Sequence, residues 1–76
     1  MNTEKKTKYR ASYEKYAKLR DAKEMNDYQV SQKTKISTAY LTNWKMGRNY
    51  PKTDKLMALG KEFNVPTDFF MEEVTE

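Results

Sequence analysis

The stretch from Val30 to Trp44, VSQKTKISTAYLTNW, leaves the chain little choice of local structure. Val30 begins an apolar pattern that keeps Ser31, Gln32 and Lys33 polar, passes through Thr34-Lys35-Ile36-Ser37 and resumes at Tyr40, Leu41 and Trp44. Steps of three and four residues in the second half are helical. Ser37 is placed to accept a hydrogen bond from the free amides of Thr38 to Tyr40, so it is the natural N-cap of a second helix. The stretch therefore reads as two short helices joined by a tight turn. The second buries Leu41 and Trp44 and exposes Thr38, Thr42 and Asn43.

What can surround these helices is bounded by size and by missing residue types. A chain of 76 residues makes one small domain with one modest core. Cysteine is absent, so neither disulfides nor thiolate metal sites add stability, and the core must be packed helices. Histidine is absent too, which removes the usual general base near neutral pH and the commonest metal ligand. The two glycines, Gly47 and Gly60, cannot build a phosphate-cradling loop. An enzyme is not expected, and no cofactor or metal is implied. No apolar run approaches a bilayer span, and the start MNTEKKTKYR has no hydrophobic stretch after its charges. A soluble, cytoplasmic protein with no membrane contact is expected.

Charge is informative through its distribution. The net charge of +4 is modest and alone proves nothing. From Tyr28 to Thr53, however, Lys33, Lys35, Lys45, Arg48 and Lys52 occur without a single acid. Asp54 to Glu76 is predominantly acidic.

Taken in order, residues 1–8 are charged, lack apolar positions after Met1 and are expected to form a flexible arm. A single domain spans 9–73, and 74–76 fray. Tyr9, Tyr13, Tyr16, Leu19 and Arg20 recur at helical spacing, which predicts a first helix from about Tyr9 to near Glu24. The tyrosine row fits either a core stripe or a stacking platform for bases, and its spacing favours the core. Asn26 and Gln29 form a capping box for a second helix, Asp27 to Thr34, with Asp27 matched to the helix dipole. The third helix runs from Thr38 to about Lys45, and Gly47 stops it in a left-handed cap. Arg48-Asn49-Tyr50-Pro51 is an exposed connection, with Pro51 fixing its exit. A fourth helix starts at Lys52 or Thr53, carries Leu56, Leu59 and Phe63 on one face, and ends at Asn64. Gly60 permits close approach of a neighbour. Thr67 caps a fifth short helix with Asp68 in its first turn and Phe69, Phe70 and Met71 as apolar area. The expected fold is all-α, a five-helix orthogonal bundle without strands.

At this point the chain resembles the helix-turn-helix domains of the lambda repressor and Cro type, the XRE family. The resemblance covers about Tyr13 to Met71 and rests on Leu19-Arg20, NDYQVSQKTKIS, LTNWKMGRNYPKTDKL and FNVPTDFF in that order and spacing. It is closest to compact regulators of phages and mobile elements, which would place the protein at the nucleoid of a bacterial or phage-infected cell. The resemblance implies that the third helix lies in the major groove and reads bases through Thr38, Ala39, Thr42 and Asn43. Asn43 has the chemistry to pair with adenine, and the threonines and the Ala39 methyl can meet other base edges. Phosphates would be gripped by Lys33, Lys45, Arg48 and Lys52, with Asn49 and Tyr50 as neutral donors.

Three departures stand out. Where the family often has Gln at the start of the second helix, this chain has Asp27, which repels phosphate, so that contact passes to Tyr28 or Asn26. Lys35 stands where the turn usually has Gly. Lys45 replaces an acid that commonly pairs with the helix-one arginine, leaving the acceptor for Arg20 open. The implied function is a sequence-specific regulator of double-stranded DNA, a repressor acting as a homodimer on an inverted repeat. Its dimer surface would include Val65, Phe69, Phe70 and Met71, unless these simply seal the core. The alternative is an antitoxin or accessory protein-binding module, whose acidic end Glu72, Glu73 and Glu76 would meet a basic partner. Nonspecific nucleoid packing is a third reading.

Overall fold

The computed structural model describes residues 8–74. Strand β1 (Lys8–Ala11) is followed by α1 (Tyr13–Ala22), α2 (Asp27–Thr34), α3 (Thr38–Lys45), α4 (Thr53–Phe63), a 3-10 turn (Thr67–Phe70) and strand β2 (Met71–Val74). The expected second, third and fourth helices occur within the bounds that their caps imply. Asn26 Oδ1 accepts from the Gln29 amide at 2.8 Å while Gln29 Oε1 accepts from the Asn26 amide at 2.9 Å, completing the capping box. Ser37 Oγ accepts from the Tyr40 amide at 3.0 Å.

The four α-helix ends share one backbone feature. Glu24, Lys35, Gly47 and Asn64, each just past a helix, all have positive φ, between 57° and 78°. Beyond three of them the next amide turns back onto a carbonyl of the last turn, Met25 to Arg20, Arg48 to Asn43 and Val65 to Gly60, whereas beyond Lys35 the Ile36 amide donates to Thr34 Oγ1. Only one of the four is glycine, so three side chains carry the steric cost of that conformation. At α4 the returning chain comes so close that a Cβ on Gly60 would lie 2.6 Å from the Val65 carbonyl oxygen. Glycine is required there by space.

Several expectations need correction. The first helix starts at Tyr13, because Ser12 caps it by accepting from the Lys15 amide at 3.3 Å. Tyr9, 62% exposed, lies in β1 and is not part of the core stripe. The strandless five-helix bundle is replaced by four α-helices and an antiparallel pair in which Lys8 faces Val74 and Ala11 faces Met71. In place of a fifth helix, Thr67–Phe70 makes one 3-10 turn; Pro66 precedes it, and Thr67 makes no side-chain cap. The Phe70 carbonyl accepts from the Ser12 amide at 2.7 Å, which draws the chain out of the turn and into β2. Of the expected arm 1–8, residues 1–7 lie outside the described residues and Lys8 begins β1; of the expected frayed end, Val74 is paired and 75–76 lie outside. The connection after α3 is not wholly exposed either, since Pro51 is buried and Asn49 and Tyr50 are half-buried.

The core is centred on Trp44, which is fully buried with Tyr16, Val30, Leu41, Leu59 and Phe70. Tyr16 stacks on it at 5.3 Å, Tyr13 meets it edge-on at 5.5 Å, and Phe63 packs edge-on against Tyr16 at 6.1 Å. Its indole N–H donates to the Ala11 carbonyl at 3.0 Å, so the buried donor is satisfied. Truncating such a side chain removes about 3–5 kcal/mol, a large part of the total stability of a small domain.

The acceptor for Arg20 is Asp27. Asp27 Oδ1 accepts from Tyr16 Oη at 2.6 Å and from Arg20 Nη1 at 2.9 Å, and Oδ2 accepts from Tyr13 Oη at 3.1 Å. Arg20 Nε also donates to Asp21 at 2.9 Å. Burial works against the Asp27 charge, yet hydrogen bonds from Tyr16, Arg20 and Tyr13 outweigh it and hold the carboxyl below the usual carboxylate range. Burial, reinforced by Asp27, raises the Tyr16 phenol far above its ordinary value.

Two variants test these points. Lys35→Gly should stabilise the domain by about 0.5–1 kcal/mol in urea denaturation, because glycine adopts the left-handed turn without a Cβ clash. A destabilised variant would mean that the Lys35 side chain contributes more than its strain removes. Asp27 has a depressed folded pKa, so its stabilisation is complete above the unfolded value of about 3.9 and lost as pH falls through the folded value. Asp27→Asn should therefore cost roughly 1–3 kcal/mol at pH 7 and progressively less below pH ~4. A deficit that stays constant down to pH ~2 would contradict the network.

Candidate nucleic-acid interface

Helix α3 has two unlike sides. Leu41 and Trp44 are buried and Tyr40 is half-buried, whereas Thr38, Ala39, Thr42 and Lys45 are exposed and Asn43 is half-buried. At about 100° per residue the uncovered side chains occupy one continuous arc from Lys45 through Thr38, Thr42 and Ala39 to Asn43. The structure thus brings the four expected base-reading residues onto one face. It is small, polar and free of acids.

The expected phosphate ligands fall into two groups. Lys33, Lys45, Arg48, Lys52 and Tyr28 are exposed, Tyr28 by 63%. Among the described residues none of these four cations is paired with a carboxylate. Asn26, Asn49 and Tyr50 already have work within the fold. Asn26 holds the capping box, Asn49 Nδ2 donates to the Tyr40 carbonyl at 3.4 Å, and the Tyr50 ring lies 5.1 Å beneath the Arg10 guanidinium. Asp27, at the start of α2, turns its carboxylate to Arg20 and the two tyrosines.

Two contacts here escaped sequence reasoning. Arg10 of β1 stacks over Tyr50 and donates through Nε to Glu72 at 3.1 Å, tying the strand pair to the loop behind α3. No local pattern marks a contact across that separation. Arg48 Nη1 donates to Asn43 Oδ1 at 3.3 Å. A signal for it did exist, because a left-handed Gly47 returns the following residue to the last turn of the helix.

Of the expected dimer residues, Phe70 is fully buried, Val65 and Met71 are half-buried, and Phe69 is 38% exposed with its ring edge-on to Phe70 at 5.5 Å. Phe70 therefore belongs to the core. No described helix is long and apolar enough to cross a membrane, and no group of acidic side chains among the described residues is arranged to hold a metal ion.

Comparison with known proteins adds one finding. No curated protein and no solved structure matches the chain significantly. The profile of the family described as helix-turn-helix matches residues 17–70, which takes in α2, the turn, α3 and α4. With two capped helices in tandem, an uncovered polar face on the second and that match over most of its length, the chain belongs to the helix-turn-helix family of lambda-repressor and Cro-like DNA-binding regulators.

Proposed function

We infer that the protein is a sequence-specific repressor that binds double-stranded DNA as a homodimer on an inverted-repeat operator. The observation that carries this reading is the exposed arc of α3, set rigidly by buried Leu41 and Trp44 and flanked by cations that pair with no carboxylate among the described residues. In this reading Thr38, Ala39, Thr42 and Asn43 face base edges in the major groove. Lys33, Lys45 and Lys52 grip phosphates, and Tyr28 takes the contact at the start of α2 that Asp27 cannot make. One domain of this size makes few contacts, which favours pairing on two half-sites about one DNA turn, roughly 34 Å, apart. Phe69, with Val65 and Met71 beside it, supplies apolar area for that pairing.

Selection of bound duplexes from a random library tests the reading directly. The expected product is a palindromic consensus, and binding to it should fall with salt at a slope of roughly −5 to −9 for a dimer. Recovery of no consensus would overturn it in favour of nonspecific packing or a protein-binding module. Lys52→Ala should weaken every duplex alike and flatten the slope by about one unit per subunit contact. An unchanged slope would remove Lys52 from the interface.

A further inference from the structure

The turn that ends α3 shapes what its last reading residue can recognise. Gly47, at φ 78°, lets its own amide return to the Trp44 carbonyl at 3.0 Å and the Arg48 amide return to the Asn43 carbonyl at 2.8 Å. In such turns the residue after the left-handed position packs against the residue five before it, usually as an apolar pair. Here the pair is polar. The Arg48 guanidinium donates to Asn43 Oδ1 at 3.3 Å, at the edge of the exposed arc.

A guanidinium contains only donors, so the amide atom turned to it must be Oδ1. One of the two lone pairs of Oδ1 is thereby taken inside the protein, and the amide is held with Oδ1 toward the guanidinium. What remains for an outside partner is Nδ2 with two hydrogens and the second lone pair of Oδ1, beside the free N–H groups of Arg48. Among the described residues none of these donors has another partner. The unit presented to DNA is rich in donors. An asparagine whose amide is free offers one donor and one acceptor, which matches adenine N7 and N6; a unit whose one acceptor already serves a cation and stands among further donors matches the N6 amino group less well. The base whose major-groove edge presents two adjacent acceptors is guanine, through N7 and O6.

We propose that Asn43 and Arg48 act as one donor-rich unit that selects guanine, and that Arg48 is a specificity-determining residue that positions Asn43. This rests on the reading of α3 as a base-reading helix and replaces the adenine pairing expected for Asn43 alone. It also moves Arg48 from the phosphate backbone to a base edge.

The test is duplex selection with the full chain, its Asn43→Ala and its Arg48→Ala variants at one salt concentration. The position read by the unit is the one at which Asn43→Ala loses preference. Wild type should recover guanine there. Arg48→Ala removes the neighbouring donors and returns both lone pairs of Oδ1, and should move the preference at that position toward adenine, changing the guanine-to-adenine ratio by about tenfold or more. Because Arg48 is exposed, its variant should melt with the wild type. In the free protein it should also shift the side-chain amide resonances of Asn43, and unchanged resonances would overturn the contact itself. Adenine at that position in wild type would overturn the proposal, as would an Arg48→Ala variant that weakens all duplexes equally with base preference intact. Either result leaves the regulator reading standing, whereas a wild type that recovers no consensus overturns that reading and the proposal together.

Discussion

The position of α3 depends on one buried indole. Trp44 lies at the centre of the core, stacked on Tyr16 of α1, and its N–H reaches the Ala11 carbonyl where β1 hands over to α1. A buried donor without an acceptor costs about 1–3 kcal/mol, so the indole fixes where β1 must end as firmly as β1 fixes the indole. From α3, the same side chain therefore grips two elements that precede it in sequence. With the inner side held at Trp44 and Leu41, the outer side of α3 has only one orientation in which to meet a partner. Affinity is then not spent on ordering the helix.

The second constraint is electrostatic, and it resolves two departures from the family pattern at once. Asp27 replaces a residue that commonly helps at the DNA backbone, and Lys45 replaces an acid that commonly pairs with the helix-one arginine. The structure joins the two vacancies. Arg20 takes Asp27 as its acceptor, and Tyr13 and Tyr16 donate to the same carboxylate. The acid is thus turned inward and largely neutralised, while Lys45 stays exposed on the basic side of α3. The exchange keeps an arginine–carboxylate pair beneath α1 and adds a cation beside the exposed arc of α3.

How much of this was legible in sequence depends on the range of each interaction. Asn26 with Gln29, Ser37 and Asn64 act within a few residues, and they placed α2, α3 and the end of α4. Gly47 likewise announced the turn after α3. The strand pair was illegible because β1 and β2 are four residues each and meet from opposite ends of the described chain. Tyr9 then stands four and seven residues before Tyr13 and Tyr16, a spacing that imitates a helical face. Thr67-Asp68 has the residues of a helix cap, yet the chain there forms only a 3-10 turn, because the Phe70 carbonyl is taken by the Ser12 amide at the end of β1. The polar face of α3 was readable from its own period, but the bond between Asn43 and Arg48 required the path of the chain after Gly47.

The central claim is that the outward arc of α3, held from within by Trp44, is the surface that meets DNA. The most direct measurement is a nuclear magnetic resonance titration of the labelled protein with its selected duplex. The account predicts that the largest shift changes fall on Thr38, Ala39, Thr42 and Asn43, with smaller ones at Lys33 and Lys52. Changes confined to Val65–Met71 or to the strand pair, with α3 unmoved, would contradict it.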